Sequence, residues 1–283
     1  MAEAGQHQFT DIKLEIKGQV GIIKFNRPKS LNSLGGNLIL DVITAVRALN
    51  EHPDTVFTVL TGEGRFFCSG ADVLTQENRV EPVRTSKAAI KVAYVTKFAG
   101  TTELVRSLIC HTKVLLVALN GPAVGAGAAW FLGVADVVLA SETSYLQTPF
   151  SQLGLVPEFG SAPNFSQSIG VHRSNDFFLF GRKCTAEEML QWGMVNRIFP
   201  VNNFHSQVEK FLEDQLAVND GKSMMEAKRL QNRPLINQRL LALYEAADAL
   251  AERFVEDAPR KRFQKQAEML RAKRKANSSK AKI

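Results

Sequence analysis

Ile12, Leu14 and Ile16 alternate with polar neighbours, the period-two pattern of a strand with one buried face. After a Lys17-Gly18-Gln19 turn, the run Val20 to Phe25 predicts a second strand, and Asn26-Arg27-Pro28-Lys29-Ser30 then breaks the pattern. Leu38, Leu40, Val42, Ile43, Val46 and Leu49 recur at helical spacing and predict a helix ending near Asn50 to Pro53. Val56 to Leu60, Val114 to Leu119 and Val137 to Ala140 are short continuous apolar runs, as expected of strands covered on both faces. A polar segment from about Gln76 to Ser86 separates two of these units and reads as a mobile lid. From Val201 the strand signals cease, and helical patterns follow through Phe211-Leu212, Leu240-Leu241-Leu243, Phe254 and Phe263. The boundary therefore falls near residue 200, with an α/β core over 1–200 and a helical region with a basic tail over 201–283.

Composition narrows the function classes. A chain of 283 residues can bury one large core plus an appendage. No apolar run approaches the ~20 residues of a membrane-spanning helix, and Met1-Ala2-Glu3-Ala4-Gly5 lacks a secretory pattern, so a soluble intracellular protein is expected. The net charge of +7 is local: from Arg260 to Ile283 ten basic side chains face one acid, Glu268, which leaves the remaining chain slightly acidic. A solvated helical face and a phosphate- or partner-binding tail both fit that distribution. Cys68, Cys110 and Cys184 are spaced for neither disulfides nor metal and read as buried reduced thiols. The five histidines form no metal-binding cluster.

Two glycine-bearing turns each follow a predicted buried strand: Gly62-Glu63-Gly64-Arg65-Phe66-Phe67-Cys68-Ser69-Gly70-Ala71-Asp72 and Asn120-Gly121-Pro122-Ala123-Val124-Gly125-Ala126-Gly127. Neither has the lysine of a phosphate loop nor the third glycine of a dinucleotide fingerprint. Small residues at a helix start leave backbone N–H groups uncovered, so each turn can aim donors at a ligand oxygen. Two converging donors would form an oxyanion hole; tight strand-to-helix packing is the alternative use of the same glycines. Glu158 is the single carboxylate in Thr148 to Gly160 and is flanked by Leu155, Val156 and Phe159. In a pocket that setting would raise its pKa toward the range where it takes and returns a proton; in water it would be an ordinary loop glutamate.

Taken in order, Asn26 to Asn32, Phe67 to Asp72, Asn120 to Gly125 and Pro149-Phe150 to Glu158 resemble the crotonase (enoyl-CoA hydratase/isomerase) superfamily, and most closely its peroxisomal Δ3,Δ2-enoyl-CoA isomerases. The likeness covers about residues 8 to 200 and is looser in the helical C-terminus. It implies a ClpP/crotonase-like spiral of ββα units with C-terminal helices that support a homotrimer or dimer of trimers. The resemblance implies backbone donors at Ala71 and Ala126, adenine passing Ser69, CoA phosphates near Lys29, and Gly70, Gly125, Asp72 and Phe150 along the acyl-CoA site. Asp72 also reads as a helix cap after its loop. No cofactor is implied, since CoA is part of the substrate.

Hydratases of this superfamily hold a water between two glutamates, and here those positions are Ala129 and Phe150. Hydration is accordingly disfavoured, whereas Glu158 falls on the single catalytic glutamate of the isomerases. The expected reaction moves the double bond of a 3-enoyl-CoA into conjugation, with Glu158 as base and then acid. An acyl-CoA hydratase or dehydratase of a specialised pathway is the alternative within enzymes. An RNA-binding or scaffold role on a crotonase core is the alternative outside them. Ala281-Lys282-Ile283 matches the small-basic-aliphatic pattern of a peroxisomal import signal, so import-receptor binding and a place in peroxisomal β-oxidation are expected.

Overall fold

The computed structural model describes residues 8–72, 86–265 and 268. The segment 76–85 expected as a lid, most of the basic tail and the terminal tripeptide lie outside them.

Ile12–Lys17 (β1) and Val20–Phe25 (β2) form an antiparallel hairpin, closed at Gly18, whose φ of 55° favours glycine. Phe57–Gly62 (β3), Val114–Leu119 (β4), Val137–Ser141 (β6) and Arg197–Phe199 (β9) then add in parallel, giving a six-stranded sheet in the order β1-β2-β3-β4-β6-β9. β3 and β4 are buried at every position, which is why their sequences are continuous apolar runs without alternation. Ala123–Val124 (β5), Tyr145–Gln147 (β7) and Lys183–Thr185 (β8) make a second, three-stranded sheet.

Leu38–Glu51 (α1) lies on one face of the large sheet and packs against Lys87–Ile109 (α2). Gly21 permits the approach to β2, since a Cβ there would stand 2.3 Å from Leu49 Cδ2. The helix α2, 23 residues long, has no counterpart in the sequence reading. Its apolar side chains are spread around its circumference because it meets α1 and the C-terminal helix on different sides, so no single stripe stands out. Ser86 caps it, accepting from Ala89 N–H at 3.1 Å.

Ala126–Leu132 (α3), Ser161–Ile169 (α4), Val171–Phe180 (α5) and Ala186–Trp192 (α6) follow, and beyond β9 the chain is helical, as Phe204–Val218 (α7), Gly221–Asn232 (α8) and Ile236–Val255 (α9). These last helices join the same interior. Leu243, Ala247 and Leu250 of α9 lie in one hydrophobic cluster with Phe25, Phe67 and Phe131, and Phe204, Val208 and Leu212 of α7 cover the other face of β3 and β4. Cys68 and Cys184 are buried as expected. Cys110 is instead exposed, because it caps the solvent end of α2. Among the described residues no helix is long and apolar enough to cross a membrane.

Candidate active site

β3 and β4 are adjacent and parallel, so the glycine turns that follow them emerge at the same, carboxyl-terminal edge of the sheet. There they zip together. Phe67 N–H donates to Pro122 O at 3.1 Å and Val124 N–H to Cys68 O at 2.9 Å. A Cβ on Gly121 would stand 2.1 Å from Arg65 O, so only glycine fits this approach. Two asparagines brace the first turn from inside. Asn32 Nδ2 donates to the Glu63 and Phe66 carbonyls, and Asn120 accepts from Gly62 N–H while donating to Gly64 O. Phe25, Phe67 and Phe131, with centroids 5.2 to 5.7 Å apart, fix the turn, the sheet and α3 as one rigid piece.

The two candidate donors meet at this seam. Gly70 has a φ of 86°, and a Cβ there would lie 2.6 Å from Val124 O and 3.5 Å from Ala126 N. Ala71 follows it, bridged to Leu34 and exposed. Ala126 is the first residue of α3, so its N–H has no acceptor within the helix. Gly125, with φ 56° and ψ −125°, turns the chain so that this end of the helix faces the seam. Neither the Ala71 nor the Ala126 N–H donates to a protein acceptor among the described residues.

Glu158 ends an irregular loop before α4. Phe159 has a φ of 49° and Gly160 of 80°, an unusual left-handed pair for a chain that includes a bulky aromatic. Packing holds it: Phe159 meets Trp130 edge-on at 5.2 Å and Phe98 edge-on at 5.9 Å. From the other side α9 clamps the loop, with its backbone 3.2 Å from where a Gly160 Cβ would be and Arg253 Nε donating to Gly154 O at 3.1 Å. Glu158 is 9% exposed. Burial pushes its carboxyl up to about 7, against the one opposing influence, the Trp130 indole N–H that donates to Oε2 at 3.1 Å. Such a group can accept and release a proton near neutral pH.

The remaining candidates are placed less uniformly. Ser69 is half-buried beside the seam, its hydroxyl donating to Ser30 O at 3.3 Å. Lys29, one residue earlier on the 310 turn Pro28–Ser30, is exposed and makes no ion pair among the described residues. Asp72 braces the scaffold: its Oδ2 accepts from Ser33 Oγ at 3.2 Å and pairs with Arg27 at 3.4 Å, while the helix it was expected to cap would lie among residues not described. Phe150 is buried and stacks on Phe178, with centroids 6.3 Å apart, so it supports the loop from behind. Ala129 is buried too. The two positions expected for a hydratase's acids are thus both apolar interior. Trp130 was not among the candidates drawn from the sequence; its spacing of one helical turn from Ala126 was the available signal for its place over Glu158.

A parallel sheet whose adjacent strand ends carry two interlocked small-residue turns, followed by helices folded back on the core, is the crotonase architecture. An enoyl-CoA hydratase/isomerase from Pseudoalteromonas atlantica matches it with a TM-score of 0.80 over 92% of this chain and 98% of that one, at 24% identity. An enoyl-CoA hydratase/isomerase from Mycobacterium paratuberculosis does so with a TM-score of 0.74 over 92% and 99%, at 26% identity. In sequence, the chain is 32% identical over 272 residues to a Δ(3,5)-Δ(2,4)-dienoyl-CoA isomerase of Pyricularia oryzae, covering 90% of this chain and 95% of that one. It is 33% identical over 207 residues to enoyl-CoA delta isomerase 2 of the rat, covering 73% of this chain and 51% of that one, so it spans about half the length of the rat protein. The pattern of the enoyl-CoA hydratase/isomerase family matches residues 15–278. The chain belongs to that family and is a crotonase-type enzyme.

Proposed function

We propose that the protein is a Δ3,Δ2-enoyl-CoA isomerase that moves the double bond of a 3-enoyl-CoA to the 2-position. The observation that carries the reading is Glu158: one buried carboxyl, raised to about 7, with apolar residues at Ala129 and Phe150 where a second acid would be needed to activate water. In a 3-enoyl thioester the C2 protons are acidified by both the carbonyl and the alkene. Glu158 removes one, and the electron pair flows through C2 into a dienolate with its charge on the thioester oxygen. The N–H groups of Ala71 and Ala126 stabilise that oxygen, each contributing about 3 kcal/mol in comparable sites. Glu158 then returns the proton at C4, which leaves the double bond conjugated. One carboxyl serves as base and acid in turn.

CoA enters as part of the substrate, with Lys29 and Ser69 beside its phosphates and adenine, and a homotrimer or dimer of trimers is the assembly we assign. The Pyricularia relative supports a second substrate reading, a 3,5-dienoyl-CoA converted to the 2,4-isomer, which uses the same first proton abstraction. The rat relative's name supports the mono-unsaturated substrate. We place the reaction in peroxisomal β-oxidation on the strength of Ala281-Lys282-Ile283. A relative in the mouse carries a peroxisomal name, at 32% identity over 73% of this chain.

Purified protein is incubated separately with 3-enoyl-CoA, 3,5-dienoyl-CoA and 2-enoyl-CoA. Conjugation of the first, without water addition to the third, is the expected result. Preferred turnover of the dienoyl ester establishes the second reading, and hydration of the 2-enoyl ester overturns both.

A further inference from the structure

Ala126 opens α3 and Trp130 stands one turn later, so one short helix presents the proposed oxygen donor and then reaches across to Glu158. The indole N–H can donate and cannot accept. Among the described residues it is the one side-chain donor to this carboxyl, and it occupies Oε2 at 3.1 Å. Oε1 has no hydrogen-bond partner among those residues, which leaves its lone pairs open to a ligand. Among the described residues the surroundings supply no other charge to this carboxyl. α3 and α4 carry no titratable side chain. From α9, Arg239 and Arg253 turn to Asn232 and to Gly154 O, and from α2, Tyr94 and Lys97 lie beyond Phe98; none of them contributes to the shift at Glu158.

Resting on the function proposed above, we propose that Trp130 is a positioning residue for the reaction, its N–H pinning Oε2 so that Oε1 alone carries the proton from C2 to C4. The C2–H bond breaks to Oε1 as its electron pair enters the dienolate, and the Oε1–H bond breaks to C4 as the π pair there forms the new C–H bond. A carboxylate held by one oxygen keeps the other aimed along the acyl chain between these two steps. An unheld one can rotate between them. The same hydrogen bond favours the charged form against burial, and so keeps the base available near neutrality.

The test replaces Trp130 with β-(3-benzothienyl)alanine, which preserves the bicyclic shape and deletes the N–H, alongside Trp130→Phe. The acidic limb of kcat/KM is expected to move up by roughly one pH unit, with kcat at pH 7 down five- to tenfold as an estimate and KM within about twofold. Activity should recover partly at higher pH. An unmoved limb with unchanged kcat, or a change confined to KM, overturns the proposal. Should Trp130→Phe fail to fold, the analogue decides. Infrared titration of the carboxyl band missing in Glu158→Gln reads the same group without turnover, and an unshifted midpoint in the analogue also overturns the proposal. A fully active Glu158→Gln protein removes the acid itself. An inactive one beside wild-type behaviour at position 130 removes Trp130 alone.

Discussion

Two carboxylates drawn away from solvent, the buried Glu158 at the candidate site and the partly buried Asp136 where the C-terminal helices dock, meet opposite treatment. Asp136 accepts Leu115 N–H and Lys228 Nζ on one oxygen, both at 2.7 Å, and Asn232 Nδ2 on the other at 3.0 Å. Lys228 donates in addition to Lys113 O at 2.6 Å, and burial lowers its pKa while Asp136 raises it. Asp41, which is buried, is served by the N–H groups of Thr10 and Asp11. Glu158 has one neutral indole. Burial is therefore common to the structural acids and to the proposed proton carrier, and unmet hydrogen-bonding capacity separates them. A shifted pKa alone does not: His111 is driven down to about 3 by burial, yet its Nε2 bonds Thr58 Oγ1 at 2.8 Å and its unpartnered Nδ1 is sealed in the interior, where no ligand reaches it.

The sharpest way to break this contrast is to neutralise each acid. Glu158→Gln keeps the shape and the Trp130 contact but cannot shuttle a proton, so isomerisation is expected to fall by about a thousandfold. CoA-ester affinity, measured by calorimetry, should stay within about threefold, because the carboxyl is asked for chemistry and not for binding. Turnover near that of the wild type would place the acid elsewhere.

Asp136→Ala should do the reverse. Removing it strands a nearly buried ammonium, and losses of about 3–5 kcal/mol are usual when one partner of such a pair is deleted. Urea unfolding measures the loss, and turnover of the fraction still folded should be near normal. Asp136→Leu combined with Lys228→Met should recover most of the stability, since the stranded charge is then gone. Equal loss in the single and double variants would mean that the junction depends on the charges themselves.

Much of this contrast was open to reading in the chain, though unevenly. β4 coincides with its predicted run, and β2 and α1 begin where the apolar pattern does, because burial on fixed faces leaves a period. The helix α2 left none, since it is contacted from several sides. Glu158 was visible as a lone acid among apolar residues. What holds it was not: Trp130 lies 28 positions earlier, and a contact of that span follows from the topology of the seam. Asp72 shows the same limit, since its cap-like sequence position gave no hint of the bond to Ser33, 39 residues away. Cys110 was read as buried from its apolar neighbours, although it is the exposed end of its helix.

A pH series sharpens the comparison from the side of stability. The carboxyl of Glu158 is raised in the folded state, from 4.5 to about 7, so the folded protein holds a proton that the unfolded chain has released between those values. Its contribution is fully present below about 4.5 and is lost as the pH rises through about 7. Glu158→Gln cannot ionise. It should match the wild type near pH 4.5 and exceed it above pH 7 by up to about 3 kcal/mol. Parallel stability curves for the two proteins would show that the carboxyl is better solvated than its surroundings suggest.

The smallest expected effect tests whether the loop around Glu158 owes its shape to α9. Gly160 combines a φ of 80° with an α9 backbone atom, Leu243 N, 3.2 Å from the Cβ position. Alanine there meets both the left-handed strain and a neighbour that cannot rotate away, at a cost of about 1–2 kcal/mol. The cost should appear in urea unfolding, with a several-fold drop in kcat as the adjoining Glu158 moves. Gly193→Ala is the control, because Gly193 has nearly the same backbone, with φ 80° and ψ 15° against 80° and 8°, and its Cβ position meets nothing nearer than Ser168 O at 4.0 Å. It should carry the strain without the collision and leave kcat unchanged. If the two variants behave alike in both assays, contact with α9 does not shape the acid loop, and its geometry is set by the Phe159 packing against Trp130 and Phe98.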